Sequence, residues 1–106
     1  MRIVLFPVKN RGRLKPMKLE AFAKKHGLVM HVYERTDPQF SNFRWHAAFM
    51  GSECKSISPG GLESTHGNGA TPKRAIVDYK RKLSGRTLVF DAMSSARREI
   101  VVPTLK

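Results

Sequence analysis

Gly67-Asn68-Gly69-Ala70-Thr71-Pro72-Lys73-Arg74-Ala75-Ile76-Val77-Asp78-Tyr79-Lys80-Arg81-Lys82-Leu83-Ser84-Gly85 reads as one helix with its punctuation. Thr71 can cap the first turn through its hydroxyl, and Pro72 suits the first helical position, where no amide hydrogen is needed. Gly85 supplies the left-handed residue that ends the helix. At helical spacing, Ala75, Ile76, Tyr79 and Leu83 share one arc and must face a core. Lys73, Arg74, Lys80 and Arg81 fall on the neighbouring arc around Val77, so one helix joins a buried stripe to a basic one. Asp78 lies four residues after Arg74 and four before Lys82, spacings that favour ion pairs on the helix surface.

Upstream, Pro16 and Gly27 bracket a first helix whose apolar arc holds Leu19, Phe22, Ala23 and His26, while Lys18, Lys24 and Lys25 point elsewhere. Leu28–Arg35 alternates as a strand, with Met30 and Val32 on one side and His31 and Tyr33 on the other. After the turn-rich Thr36–Asn42, Phe43–Met50 alternates again. Phe43, Trp45, Ala47 and Phe49 form one face, and Arg44, His46 and Ala48 the other. Trp45 is expected to be the largest core residue. A short third strand is expected over Glu53–Ile57, then a Ser/Gly-rich loop, Ser58–Gly69. Met1–Val8 reads as an edge strand and 9–15 as a basic linker carrying Arg11 and Arg13. Thr87–Ala92 and Glu99–Val102 read as a C-terminal hairpin around Met93–Arg98. The expectation is one α+β domain, 1–106. Its core is 16–85, built as helix, three-stranded antiparallel sheet and helix, and 86–106 form a hairpin and tail.

The totals bear on partners. Twenty Lys and Arg stand against eight Asp and Glu, a formal charge of +12. Residues 1–35 hold nine basic and two acidic side chains, 71–106 hold nine and three, and the middle 36–70 holds two and three. Two basic ends flanking a nearly neutral centre focus positive potential and point to a polyanion, nucleic acid first among them. The single cysteine, Cys54, excludes an internal disulfide and fits a reducing compartment. The apolar run Ile3–Val8 is too short to span a bilayer and lacks the features of a signal peptide. A cytoplasmic location and no membrane partner are therefore expected.

The order from Pro16 to Gly85 resembles a double-stranded RNA-binding domain. The family's G-x-G-x-S-K-K-x-A start to its last helix stands here as Gly67-Asn68-Gly69-Ala70-Thr71-Pro72-Lys73-Arg74-Ala75. Its G-P-x-H loop corresponds to Asp37-Pro38-Gln39-Phe40, and its first helix has a leucine and an aromatic at the spacing of Leu19 and Phe22. The resemblance implies that Lys73 holds phosphate. Pro72 and Ile76 occupy positions where the family places lysine, and Phe40 replaces the loop histidine. The run Gly69–Ile76 also resembles the G-x-T-x-x-x-A-I helix start of HicB-type antitoxins, which usually carry acidic residues where Lys73 and Arg74 stand. Gly69–Pro103 is similar to small proteins of bacteriophages and prophages.

Chemistry-bearing residues are sparse. Gly67–Gly69 lacks the lysine spacing of a Walker loop and does not match a dinucleotide fingerprint. Asp37, Glu53, Glu63, Asp78, Asp91 and Glu99 are scattered, with no pairing that would hold magnesium or serve as acid and base. His31, His46, Cys54 and His66 lack zinc-binding spacing. The expectation is no catalytic residue, no metal and no cofactor. The histidines instead belong on a partly exposed sheet face with Tyr33 and Arg44, a face suited to stacking on single-stranded bases unless Met1–Val8 or the hairpin covers it. The sequence thus points to a small nucleic-acid-binding protein. Its phosphates would meet Lys73, Arg74, Lys80 and Arg81, supplemented by Lys18 and Lys25 or by Arg11 and Arg13. The alternative is a protein-interaction module that uses the same surface on an acidic partner.

Overall fold

The computed structural model describes residues 15–36, 44–56 and 60–106. In chain order they form α1 (Leu19–His26), β1 (Met30–Glu34), β2 (Trp45–Phe49), β3 (Ser52–Lys55), β4 (Leu62–Glu63), β5 (Gly67–Gly69), α2 (Pro72–Leu83), β6 (Thr87–Phe90) and β7 (Arg98–Val101). The α+β class expected from the sequence is the one found. Its strands form two antiparallel sheets, β1-β2-β5 and β4-β3-β6-β7. The expected strand Met1–Val8, the linker residues Arg11 and Arg13, the loop with Phe40, and Phe43 and Ile57 lie outside the described residues.

Helix α2 starts and stops as its sequence dictates. Thr71 is extended (φ −137°, ψ 160°), and its Oγ1 accepts the Arg74 amide hydrogen at 3.2 Å. Pro72 occupies the first turn, and beyond Leu83 the chain turns at Gly85, whose φ is +81°. Ala75, Tyr79 and Leu83 are fully buried. They face the β1-β2-β5 sheet, against which β5 lies closest. Gly67 and Gly69 explain that closeness: a Cβ added at Gly69 would stand 2.6 Å from the Ala75 nitrogen, and one at Gly67 would collide with the Ala75 carbonyl oxygen. The glycines remove two side chains where helix and strand backbones meet.

Three boundaries differ from the sequence reading, each for a physical reason. Helix α1 begins at Leu19, not Pro16, because the Met17 backbone bonds the C-terminal tail (Met17 N–H to Thr104 O at 3.1 Å, Lys106 N–H to Met17 O at 2.9 Å). Lys18, its N-cap, has no side-chain acceptor to offer, whereas Gly27 (φ +67°) closes the helix as expected. The third strand of the first sheet is β5, not the stretch near Glu53. At Gly51, whose φ is +74°, the chain turns out of β2, and β3 pairs with β4 and β6 in the second sheet. Two extra strands thus stand between β2 and β5, so the uninterrupted helix, three strands, helix order is not reproduced.

The C-terminal hairpin forms as β6 and β7, in the register Leu88↔Ile100. Its inward residues join one apolar cluster with Leu19, Phe22, Phe49, Tyr79 and Leu83. Burying side chains of this size contributes about 1.5–3 kcal/mol each. Trp45 is not the largest core residue: it is half-buried at the end of β2, opposite Glu34 and Gly69, while Tyr79, Phe22 and Phe49 fill the centre. The Tyr79 hydroxyl reaches across the core to accept the Phe49 amide hydrogen at 3.0 Å.

Candidate nucleic-acid interface

The outward arc of α2 carries the cations read from the sequence. Lys73, Arg74 and Arg81 are exposed and Lys80 is half-buried. They do not form one uniform strip. Arg81 Nη2 lies 2.6 Å from Asp78 Oδ1, and Lys82 Nζ lies 2.8 Å from Asp78 Oδ2, so the expected Arg74–Asp78 pair is replaced by Arg81–Asp78. Asp78 also accepts the Asn68 amide hydrogen at 2.9 Å, which ties β5 to the helix. Burial alone would raise the Asp78 pKa, but bonds from Lys82, Asn68 and Arg81 outweigh it and bring it down to about 2. Among the described residues, Lys73, Arg74 and Lys80 have no carboxylate within ion-pair distance. Val77, between them, is 49% exposed.

Lys18 and Lys25 are both exposed but stand at opposite ends of α1, the first as its N-cap and the second in its last turn. Seven residues of helical rise separate them by about 10 Å, so they cannot grip one phosphate. Arg11 and Arg13 lie outside the described residues.

The other face of the β1-β2-β5 sheet carries a second arrangement. Strand alternation turns Met30, Val32, Ala47 and Phe49 toward the core and His31, Tyr33 and His46 away from it. The outward rings form a column. His31 and Tyr33 have centroids 4.8 Å apart, Tyr33 and His46 stack at 4.9 Å, and His46 and His66 stack at 4.0 Å with planes 24° apart. Arg35 clamps the column from the side, its Nη2 donating to His46 Nδ1 at 2.7 Å and to Asn68 Oδ1 at 3.3 Å. A guanidinium only donates, so Nδ1 accepts and a neutral His46 carries its proton on Nε2. As held, His46 has no lone pair left to take a proton. Burial first, then the positive charge of His66, Arg35, His31 and Lys82, pulls its pKa down to about 4. His66 is lowered too, by burial and then by Lys82 and Arg35.

Strand alternation places His31, Tyr33, Arg44 and His46 on one face; His31, Tyr33 and His46 join the ring column there, while Arg44, just before β2, pairs with Glu34. It leaves out Arg35 and Asn68, and the sequence puts His66 in the loop Ser58–Gly69. Arg35 continues the same alternation two residues past Tyr33, and Asn68 is the one side chain between two glycines that face the helix. Both were legible once Gly67–Gly69 is taken as a strand. The nearby cleft of about 330 Å³ between Ser64–His66 and the second helix is a poorer anion site, because its cations, Lys82 and Arg86, are already paired with Asp78 and Glu63.

No helix among the described residues is long and apolar enough to cross a membrane, and no group of three or more His, Cys, Asp or Glu among them is placed to hold a metal ion. No protein-family model matches the chain, and no curated protein or solved structure matches it significantly.

Proposed function

We propose that this protein binds nucleic acid, with phosphates meeting Lys73, Arg74 and Lys80 on the outer arc of α2, and that it acts as a binder rather than an enzyme. The observation that carries this reading is the arc itself: three cations on one helix face without a carboxylate partner among the described residues, in a chain of net charge +12. Such contacts release counterions, so log affinity falls linearly with log salt, by about 0.9 per phosphate neutralised on a duplex. Reversing Lys73 and Lys80 to Glu weakens binding to many sequences alike and flattens that slope by about two. Neither side chain belongs to the buried cluster, so circular dichroism should show the fold intact. An unchanged slope removes this arc from the interface.

A second reading has one observation in its favour. Val77 is half exposed in the middle of the arc, and an apolar side chain there suits an acidic protein surface better than a phosphate groove. Purification separates the two. Nucleic acid that copurifies and disappears on nuclease treatment favours the first, and its absence at low salt favours the protein partner.

A further inference from the structure

We propose that the open face of the β1-β2-β5 sheet is a stacking platform for a single-stranded nucleic acid, with the rings of His31 and Tyr33 meeting the bases. This rests on the nucleic-acid reading above and adds the kind of strand that is bound and a second surface that binds it. The four rings are not equivalent. His46 and His66 are half-buried and stacked on each other, and Arg35 fixes His46. They are the footing. Tyr33 is stacked on His46 yet stays 42% exposed, and His31, tilted 43° against it, is exposed with no other ring contact among the described residues. The column therefore ends in two open, pre-positioned rings, and a base added there continues a stack already begun. Stacking on aromatic rings tolerates every base, as a strand binder without sequence readout requires.

Charge fits the same occupant. Arg35 Nη2 bonds the His46 ring and Lys82 Nζ donates to the His66 carbonyl oxygen at 3.1 Å, so two cations flank the column. Asp78, the partner of Lys82, is the carboxylate that also acts on His66. Aromatic rings flanked by cations match a strand whose bases stack and whose backbone is anionic. Sheet stability explains less of the arrangement. The Tyr33–His46 pair sits directly opposite across the strands and by itself supports their pairing. That pairing needs neither His31 beyond it nor His66 behind it.

The test measures fluorescence anisotropy of three labelled probes on the full chain: an oligodeoxyuridylate, an oligouridylate and a duplex of equal length. His31→Ala/Tyr33→Ala should weaken single-strand binding about tenfold or more, leave duplex binding within about twofold, and recover when the second substitution is Tyr33→Phe and His31 is kept. Tighter binding of one single strand than the other would show whether a 2′-hydroxyl is read, and either preference supports the platform. Single-strand affinity untouched by the double alanine variant overturns it. If Lys73→Glu/Lys80→Glu then abolishes that affinity, the α2 reading survives alone. Wild type that binds the duplex but neither single strand also overturns the platform alone, whereas wild type that binds no probe at low salt overturns both.

Discussion

Replacing Gly67 by alanine tests the fold at the point on which both candidate surfaces depend. The new methyl would collide with the Ala75 carbonyl oxygen and the Tyr79 nitrogen and stand 2.6 Å from the Tyr79 Cβ. Helix backbone atoms cannot step aside one at a time, so α2 must lift as a body. Moving from 2.6 Å to the 3.4 Å of ordinary contact is a lift of at least about 0.8 Å. A gap of that size forfeits about a quarter to a half of the dispersion well at each contact under Ala75, Tyr79 and Leu83. Overpacking costs about 1–3 kcal/mol, and the stiffer unfolded chain returns about 0.4–1 kcal/mol. Because the obstacle is backbone, the cost lies at the upper end and the expected net loss is about 2–2.6 kcal/mol, or a Tm lower by about 8–20 °C in a domain of this size. Asn68→Ala is the matched control: it gives up one long bond from Arg35 and should cost about 0.5–1.5 kcal/mol. Thermal melts followed by circular dichroism compare them. Gly67→Ala melting with the wild type would mean that α2 is not seated on β5.

Three further outcomes follow from single contacts. Thr71→Ala removes the acceptor for the Arg74 amide and should cost about 0.5–2 kcal/mol in urea denaturation. Tyr79→Phe leaves the buried Phe49 amide without its 3.0 Å partner and should cost about 1–3 kcal/mol, more than Ser52→Ala, which loses only a 3.5 Å contact with the Tyr79 hydroxyl and a bond to the Phe49 carbonyl. Acid should destabilise in two stages: His46 binds its proton near pH 6.5 when unfolded but only near 4 when folded, so stability falls between those values, and Asp78 repeats this from 3.8 to about 2. His46→Gln should shrink the first stage of a Tm-against-pH series to the part that His66 and His26, whose pKa values are also lowered, contribute, and leave the second.

What was legible in the sequence was whatever a local rule governs. Thr71, Pro72 and Gly85 announce α2, and the alternation of 30–34 and 45–49 sorts Met30, Val32, Ala47 and Phe49 from His31, Tyr33 and His46. The misses share a cause: long-range partners decided them. Gly67–Gly69 has the composition of a loop, and only the helix lying on it makes a glycine strand favourable. Met17 looks free to begin a helix until Leu105 pairs with it. Glu53 follows a turn and invites a third strand beside β2, but that edge is taken by β5, so β3 finds β6. The ring column was half visible for the same reason: two of its members share one strand, and His66 reaches it only because β5 lies beside β2.

Asp78 shows why a count of lysines and arginines overstates what a face can do. Its carboxylate takes Arg81, Lys82 and the Asn68 amide together. Two cations of α2 are thereby committed to holding β5 against the helix. Asn68 on that strand accepts from Arg35, and Arg35 fixes His46. A run of contacts thus joins the helix surface to the ring column on the far side of the sheet. The charge of α2 divides into a structural share, Arg81 and Lys82, and an uncommitted share, Lys73, Arg74 and Lys80. Only the second can neutralise phosphate without giving up a contact that supports the fold. At about 0.9 per phosphate, the arc accounts for a salt slope near 2.7 on a duplex, not the 4.5 that all five cations would give. A steeper slope must draw on cations outside α2.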